Sequence, residues 1–151
     1  MGAASQSVLS IDWREVRVTN VADICQKIVE NTSDSLACAI VDISTGLLMG
    51  VHHLVPHFTP DYLDAIAAAS VEMFSGRTVK RVEQLLSSMS GVPVSESFEE
   101  IFIASPRVFH FMKFVQEKQV IVVLVTRKSI SQGMGWASLR NSVPDIVSTL
   151  P

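Results

Sequence analysis

The sequence is poor in the residues from which most active centres are built. Two cysteines, four histidines and one tyrosine are spread through 151 residues. Cys25 and Cys38 lack the C-x-x-C spacing of a zinc or redox site, and neither has a basic neighbour in sequence to lower its pKa. They read as buried thiols of a reducing compartment. Charge is scarce too: 18% of residues are charged, against ~25% in an average globular domain. A formal net charge of -3 offers no general attraction to nucleic acid or anionic lipid. The longest aliphatic run, VIVVLV at 120–125, is a strand's length and far short of the ~20 residues of a membrane span. The start, MGAASQSVLSIDWREVRV, lacks the basic and apolar blocks of a signal peptide, and Gln6 stands where myristoylation needs Ser or Thr. The expectation is a cytoplasmic protein with no nucleic-acid partner and no membrane insertion.

What the chain has is apolar surface. Hydrophobic residues make up 48% of it and the mean hydropathy is +0.34. A short chain this apolar is expected to hide some of its surface in a partner. The first 17 or so residues lack periodicity, so residues 1–18 read as a tail or edge element and residues 19–151 as one domain. Val21, Ile24, Cys25, Ile28 and Val29 then recur at helical spacing, with Thr19 or Asn20 as cap. Leu36–Ile43 and Leu47–His53 form a hairpin turned by Ser44-Thr45-Gly46, and Pro56 prevents its continuation.

Thr59 as N-cap, Pro60 at the first helical position and Asp61 near the positive end of the dipole announce a second helix. Its pattern continues to about Met89, which predicts one long helix of ~45 Å if unbroken. One stripe runs Leu63, Ile66, Ala67, Ser70, Phe74, Thr78, Val82, Leu85 and Met89, beside a second set of Val71, Val79 and Leu86. That apolar face is wider than one sheet requires. Gly76 weakens it locally, by ~1 kcal/mol relative to Ala. After a loop at Ser87–Ser97, three strands are predicted at Phe98–Ala104, Arg107–Val115 and Gln119–Thr126, with connections short enough to make them antiparallel neighbours. A last helical pattern, Ser131–Leu150, contains Pro144, which ends it or starts a new turn.

Chemistry is hard to find along this chain. His52 and His53 are adjacent and point to opposite faces of a strand, and no acid or cysteine joins His57 nearby. Gly133-Met134-Gly135 lacks the Lys-Ser/Thr of a phosphate loop and reads as a flexible entry to the last helix. Ser44 has neither a nucleophile frame nor a general base nearby in sequence. Asp42, the acid that interrupts an apolar strand, is better explained as a cap of its own turn than as a catalyst. Arg77, Lys80 and Arg81 share a helix face, as a solvated patch or a contact for an acidic partner. No catalytic residue, metal ligand or cofactor site is expected.

The order helix, two strands, long helix, three strands, helix, together with AIVDISTGLLMGV, resembles the roadblock / dynein light chain family and its bacterial relatives that regulate small GTPases. The family's apolar strand, Asp, short turn ending in Gly and second apolar strand correspond to Ala39–Val41, Asp42, Gly46 and Leu47–Val51. Its Ala-rich second helix corresponds to YLDAIAAASVEMFSGRTVKRVEQLL and its meander to EEIFIASPRVFHFMKFVQEKQVIVVLVTR. The resemblance covers about Val21 to Arg140. It implies an α+β, profilin-like fold: a five-stranded antiparallel sheet, the long helix on one face and the terminal helices on the other. It also implies a homodimer built on the long helix and the first meander strand, with contacts expected at Ile66, Ala69, Ser70, Met73, Phe98, Ile101 and Ile103; the basic patch of Arg77, Lys80 and Arg81 is a candidate partner contact beside it. The function implied is a non-enzymatic interaction module for a small GTPase or a signalling or motor complex. Two rivals stand beside it: a small-molecule sensor with a pocket near Trp136, Phe109 and His110, and a metal-dependent enzyme using the histidines.

Overall fold

A computed structural model describes residues 20–151 of the chain. The tail expected over residues 1–18, and Thr19 as a cap, lie outside them. Helix α1 (Val21–Asn31) starts at Asn20, whose side-chain oxygen accepts the Ala22 N–H at 2.9 Å. Its apolar stripe of Ile24, Cys25, Ile28 and Val29 is buried as the spacing predicts.

Five strands follow the expected order: β1 (Ser35–Asp42), β2 (Leu48–His53), β3 (Glu100–Ala104), β4 (Val108–Val115) and β5 (Val120–Arg127). They form one sheet in the order β2-β1-β5-β4-β3, with every neighbouring pair antiparallel. The last strand in sequence therefore lies at the centre, covered on both faces. This explains why VIVVLV shows no polar alternation.

Helix α2 (Pro60–Ser75) covers one face, where Ala67 and Phe74 pack over Val41, Met112, Phe114 and Val123. The opposite face carries α1 with α4 (Gln132–Asn141) and α5 (Val143–Thr149), enclosing Ile28, Cys38, Ile40, Phe111 and Leu139. Pro144 sits in the first turn of α5, so the last helical pattern is two helices. Cys25 and Cys38 are wholly buried at the seam between α1 and β1. The Cys38 thiol is pushed well up, first by its hydrogen bond with Cys25 and then by burial.

Two expectations are corrected. The long helix breaks at Gly76, and a separate helix, α3, spans Arg77–Ser90. The angles there, φ -68 and ψ 175, suit any residue. A Cβ, however, would lie 2.5 Å from the carbonyl oxygen of Glu72, so the break closes too tightly for a side chain. The two helices consequently do not share one stripe. Thr78, Val82, Leu85 and Met89, expected on the inner face, are exposed, while Val79 and Glu83 turn inward. The second correction concerns Gly133 and Gly135, which lie inside α4 rather than in a flexible entry. Gly135 rests against the Phe111 ring with no room for a Cβ, so it sets how close α4 comes to the sheet.

Candidate partner-binding surfaces

The residues singled out for chemistry do not assemble. Among the described residues, no three His, Cys, Asp or Glu side chains converge as a metal set. The rings of His53 and His57 lean on Phe58, with centroids 5.7 and 5.5 Å away. Asp42 binds its own turn, accepting from the Thr45 hydroxyl at 2.7 Å and from the Ser44 hydroxyl and N–H at 3.0 and 3.3 Å. These donors, Thr45 foremost, hold its carboxyl below the usual range.

The pocket expected near Trp136, Phe109 and His110 does not form. Alternation along β4 puts Phe109 and His110 on opposite faces of the sheet. Phe109 and Trp136 pack with Phe111 and Phe102 on the face of α1 and α4. His110 lies on the α2 face beside Tyr62, Leu63 and Ile66, at a cavity of only about 20 Å³. Burial lowers its pKa, opposed by a hydrogen bond with the Ile103 backbone. A larger open groove, about 850 Å³, runs between α1, α4 and α5, away from these three residues.

The surface around α3 and β3 is different in character. Strand β3 pairs with β4 along its length, and among the described residues no strand lies on its other edge. Helix α3 ends at Gly91, and the chain then runs back along it. The Ser87 hydroxyl oxygen accepts the Val94 N–H at 2.8 Å, and Glu83 receives both the N–H and the hydroxyl of Ser97 at 2.9 and 2.6 Å. These bonds hold Glu83 at 7% exposure and lower its pKa, the Ser97 hydroxyl first. The returning segment delivers Phe98, which is exposed, and then β3 itself. Val82, Leu85, Leu86 and Met89 of α3 are also exposed, Met89 at 82%. Their i, i+3, i+4, i+7 spacing makes one continuous apolar row.

The residues expected at a dimer contact divide into three groups. Ala69 and Phe98 are exposed. Ile66, Met73, Ile101 and Ile103 are half-buried, the last three packed against the α2-side core. Ser70 is 0% exposed and its hydroxyl donates to the Ile66 carbonyl, so it belongs to the interior of its own protomer and leaves the set. The α3 row was missed because a single long helix assigns it to the core. Its signal in the sequence was Gly76. Arg77, Lys80 and Arg81 are exposed on the opposite flank of α3 and take part in none of the three ion pairs among the described residues.

One of those ion-pair groups braces β3 from the other face. Glu100 accepts two bonds from the Arg140 guanidinium, at 2.8 and 2.7 Å, and a longer one from Lys113. Arg140, whose guanidinium also stacks on Trp136 at 5.2 Å, holds the Glu100 carboxyl below its usual range. Helix α4 is thereby tied to the outermost strand.

No protein-family profile matches the chain, and no curated protein matches its sequence. Solved structures do match it in shape. The Roadblock/LC7 domain from Streptomyces avermitilis is similar with a TM-score of 0.63 at 12% identity, over 84% of this chain and 94% of that one. MglB of Myxococcus xanthus gives 0.63 at 12% identity, over 84% of each chain. MglC of Myxococcus xanthus gives 0.51 at 15% identity, over 85% of this chain and 97% of that one. With the strand order, the two helical layers and these likenesses together, the chain has the roadblock fold.

Proposed function

We propose that the chain acts without catalysis of its own, as a homodimeric interaction module that regulates or scaffolds a small GTPase or a signalling or motor assembly. The observation that carries this reading is the exposed apolar row of α3, on a chain whose β3 edge is open among the described residues. A second copy meeting that edge would join two sheets and cover the row at once. Ile66, Ala69, Met73, Phe98, Ile101 and Ile103 are the further contacts proposed for it. The roadblock fold supports a GTPase as the partner, and the exposed Arg77, Lys80 and Arg81 offer a flank for an acidic surface on it. An effect on GTP hydrolysis would come from positioning the GTPase's own groups.

The test has two parts. Native mass is measured for the unchanged chain and for Ala69→Arg; a dimer that the substitution splits supports the placement, and an unchanged mass removes it. The immobilised chain is then offered small GTPases loaded with a GTP analogue or with GDP. Retention in one nucleotide state establishes the regulator reading, and retention in neither state overturns it.

A further inference from the structure

On the face of the sheet opposite α2, the open groove of about 850 Å³ has α1 as one wall and α4 with α5 as the other. The α1 wall presents Asp23, Lys27 and Glu30, which at i, i+4 and i+7 share one stripe of the helix. Ile24 and Ile28 of the same wall are almost wholly buried. The other wall offers Ala137 and Met134, and Met134 is 55% exposed. A methionine at the lip of a groove is a flexible apolar surface that adapts to an irregular partner.

Charge in the groove is one-sided. Three carboxylates, of Asp23, Glu30 and Asp145, line it with one ammonium, that of Lys27. Lys27 is already engaged, donating from α1 to Asp145 of α5 at 3.2 Å. Glu30 has a neutral partner, accepting from the Gln26 amide at 2.8 Å. Asp23 takes part in none of the ion pairs among the described residues. Its Oδ2 atom is closed to solvent and has no hydrogen-bond partner. A carboxylate oxygen left in that state is costly, and a cationic donor laid in the groove would satisfy it. The groove is open, whereas a small-molecule site encloses most of its ligand. Two helical walls with an apolar floor and an acidic rim suit a segment of chain.

We propose that this groove takes a basic amphipathic helix of a partner protein. The apolar side of that helix lies on Met134, Ala137 and the α1 wall, and a lysine or arginine reaches Asp23. Glu30 stands seven residues further along α1, ~10 Å away, so a second cation seven residues from the first meets it. This goes beyond the interaction reading, since it uses the face of α1, α4 and α5 and neither the α3 row nor the β3 edge.

The test is a titration of the isotope-labelled full chain, followed by its backbone amide shifts. The probe is a short amphipathic helical peptide of leucine, alanine and lysine, with lysines seven residues apart on its polar side. Two controls have glutamate in place of lysine, or the same composition scrambled so that no apolar side forms. The expected result is saturable shifts confined to α1, α4 and α5 with the first peptide alone. Asp23→Asn and Met134→Lys should each weaken that binding about tenfold. Met134 is exposed, so its variant keeps the melting temperature of the unchanged chain and holds the test open should Asp23→Asn misfold. Absence of saturable shifts overturns the proposal, as does equal binding of either control or undiminished binding by a folded variant. Shifts centred on α3 also overturn it and assign the peptide to that row. Native mass, read on the same samples, reports the β3 contact separately, so failure here is distinguishable from failure of the dimer.

Discussion

Glu83 and Ser97, fourteen residues apart, are joined by two bonds to one carboxylate oxygen, at 2.9 Å from the backbone N–H and 2.6 Å from the hydroxyl. The pair fastens the segment that leads into β3 onto the helix that carries the exposed row. Two parts of the candidate interface are thus held in a fixed relation by one acid.

Replacing Glu83 with Ala leaves Ser97 without its acceptor and should cost ~1–2 kcal/mol. It should also raise amide exchange in residues 92–97 more than in the sheet. The pH dependence has a definite sign. The Glu83 carboxyl is held below its ordinary 4.5 by Ser97, so its contribution is present above that pH. It is lost as pH falls through the lower folded value. Acid unfolding of Glu83→Gln should be less steep in that range than that of the unchanged chain.

Leu85→Arg separates packing within a protomer from contact between protomers. Leu85 is exposed on its own chain, so the substitution should change protomer stability by no more than ~0.5 kcal/mol. Burial against a second copy makes the same charge costly, and the dimer should dissociate. Sedimentation velocity and thermal unfolding, run on one sample, give both numbers.

Gly76→Ala distinguishes a required break from an accidental one. In a continuous helix Ala is favoured over Gly by ~1 kcal/mol. The clash with the Glu72 carbonyl predicts the opposite here, a loss of ~1–3 kcal/mol. A higher midpoint of denaturant unfolding in the variant would mean that α2 and α3 can run as one helix.

His110 gives stability a dependence near neutrality. Burial lowers its pKa from 6.5, so above that pH it is neutral both folded and unfolded and imposes no penalty. As pH falls below 6.5 the unfolded chain gains a proton that the folded chain refuses, and stability declines until the folded pKa is passed. His110→Leu should flatten the melting temperature between pH 7 and pH 5 relative to the unchanged chain.

The strands, the two terminal layers and the turn at Asp42 were legible because each rests on a local rule. Alternation, helical spacing and an acid beside Ser and Thr do not depend on distant contacts. The break at Gly76 was legible only as a weakening. Whether a glycine bends a helix depends on what a Cβ would meet, and here that is the carbonyl of Glu72 one turn back. Misreading the break carried Val82, Leu85 and Met89 to the wrong face and hid the strongest surface feature of the chain. Ser70 stands on the inner stripe of its helix and among the residues expected at the dimer contact, and its burial within its own protomer leaves only the first of these. The supposed ligand pocket failed on parity, because Phe109 and His110 are neighbours in sequence and strangers across the sheet.

The central place of β5 bears on how the chain becomes ordered during synthesis. The β1–β2 hairpin emerges early, but its other flank pairs only with residues 120–127, so Ala39 waits for Val123. A two-stranded ribbon is marginal in water by itself. Nearly the whole domain must leave the ribosome before either half of the sheet is secured. Closing so long a loop is slow compared with forming a local hairpin. Through that interval the dry strands of the hairpin are exposed to other chains, so the arrival of β5 governs how much newly made protein escapes aggregation.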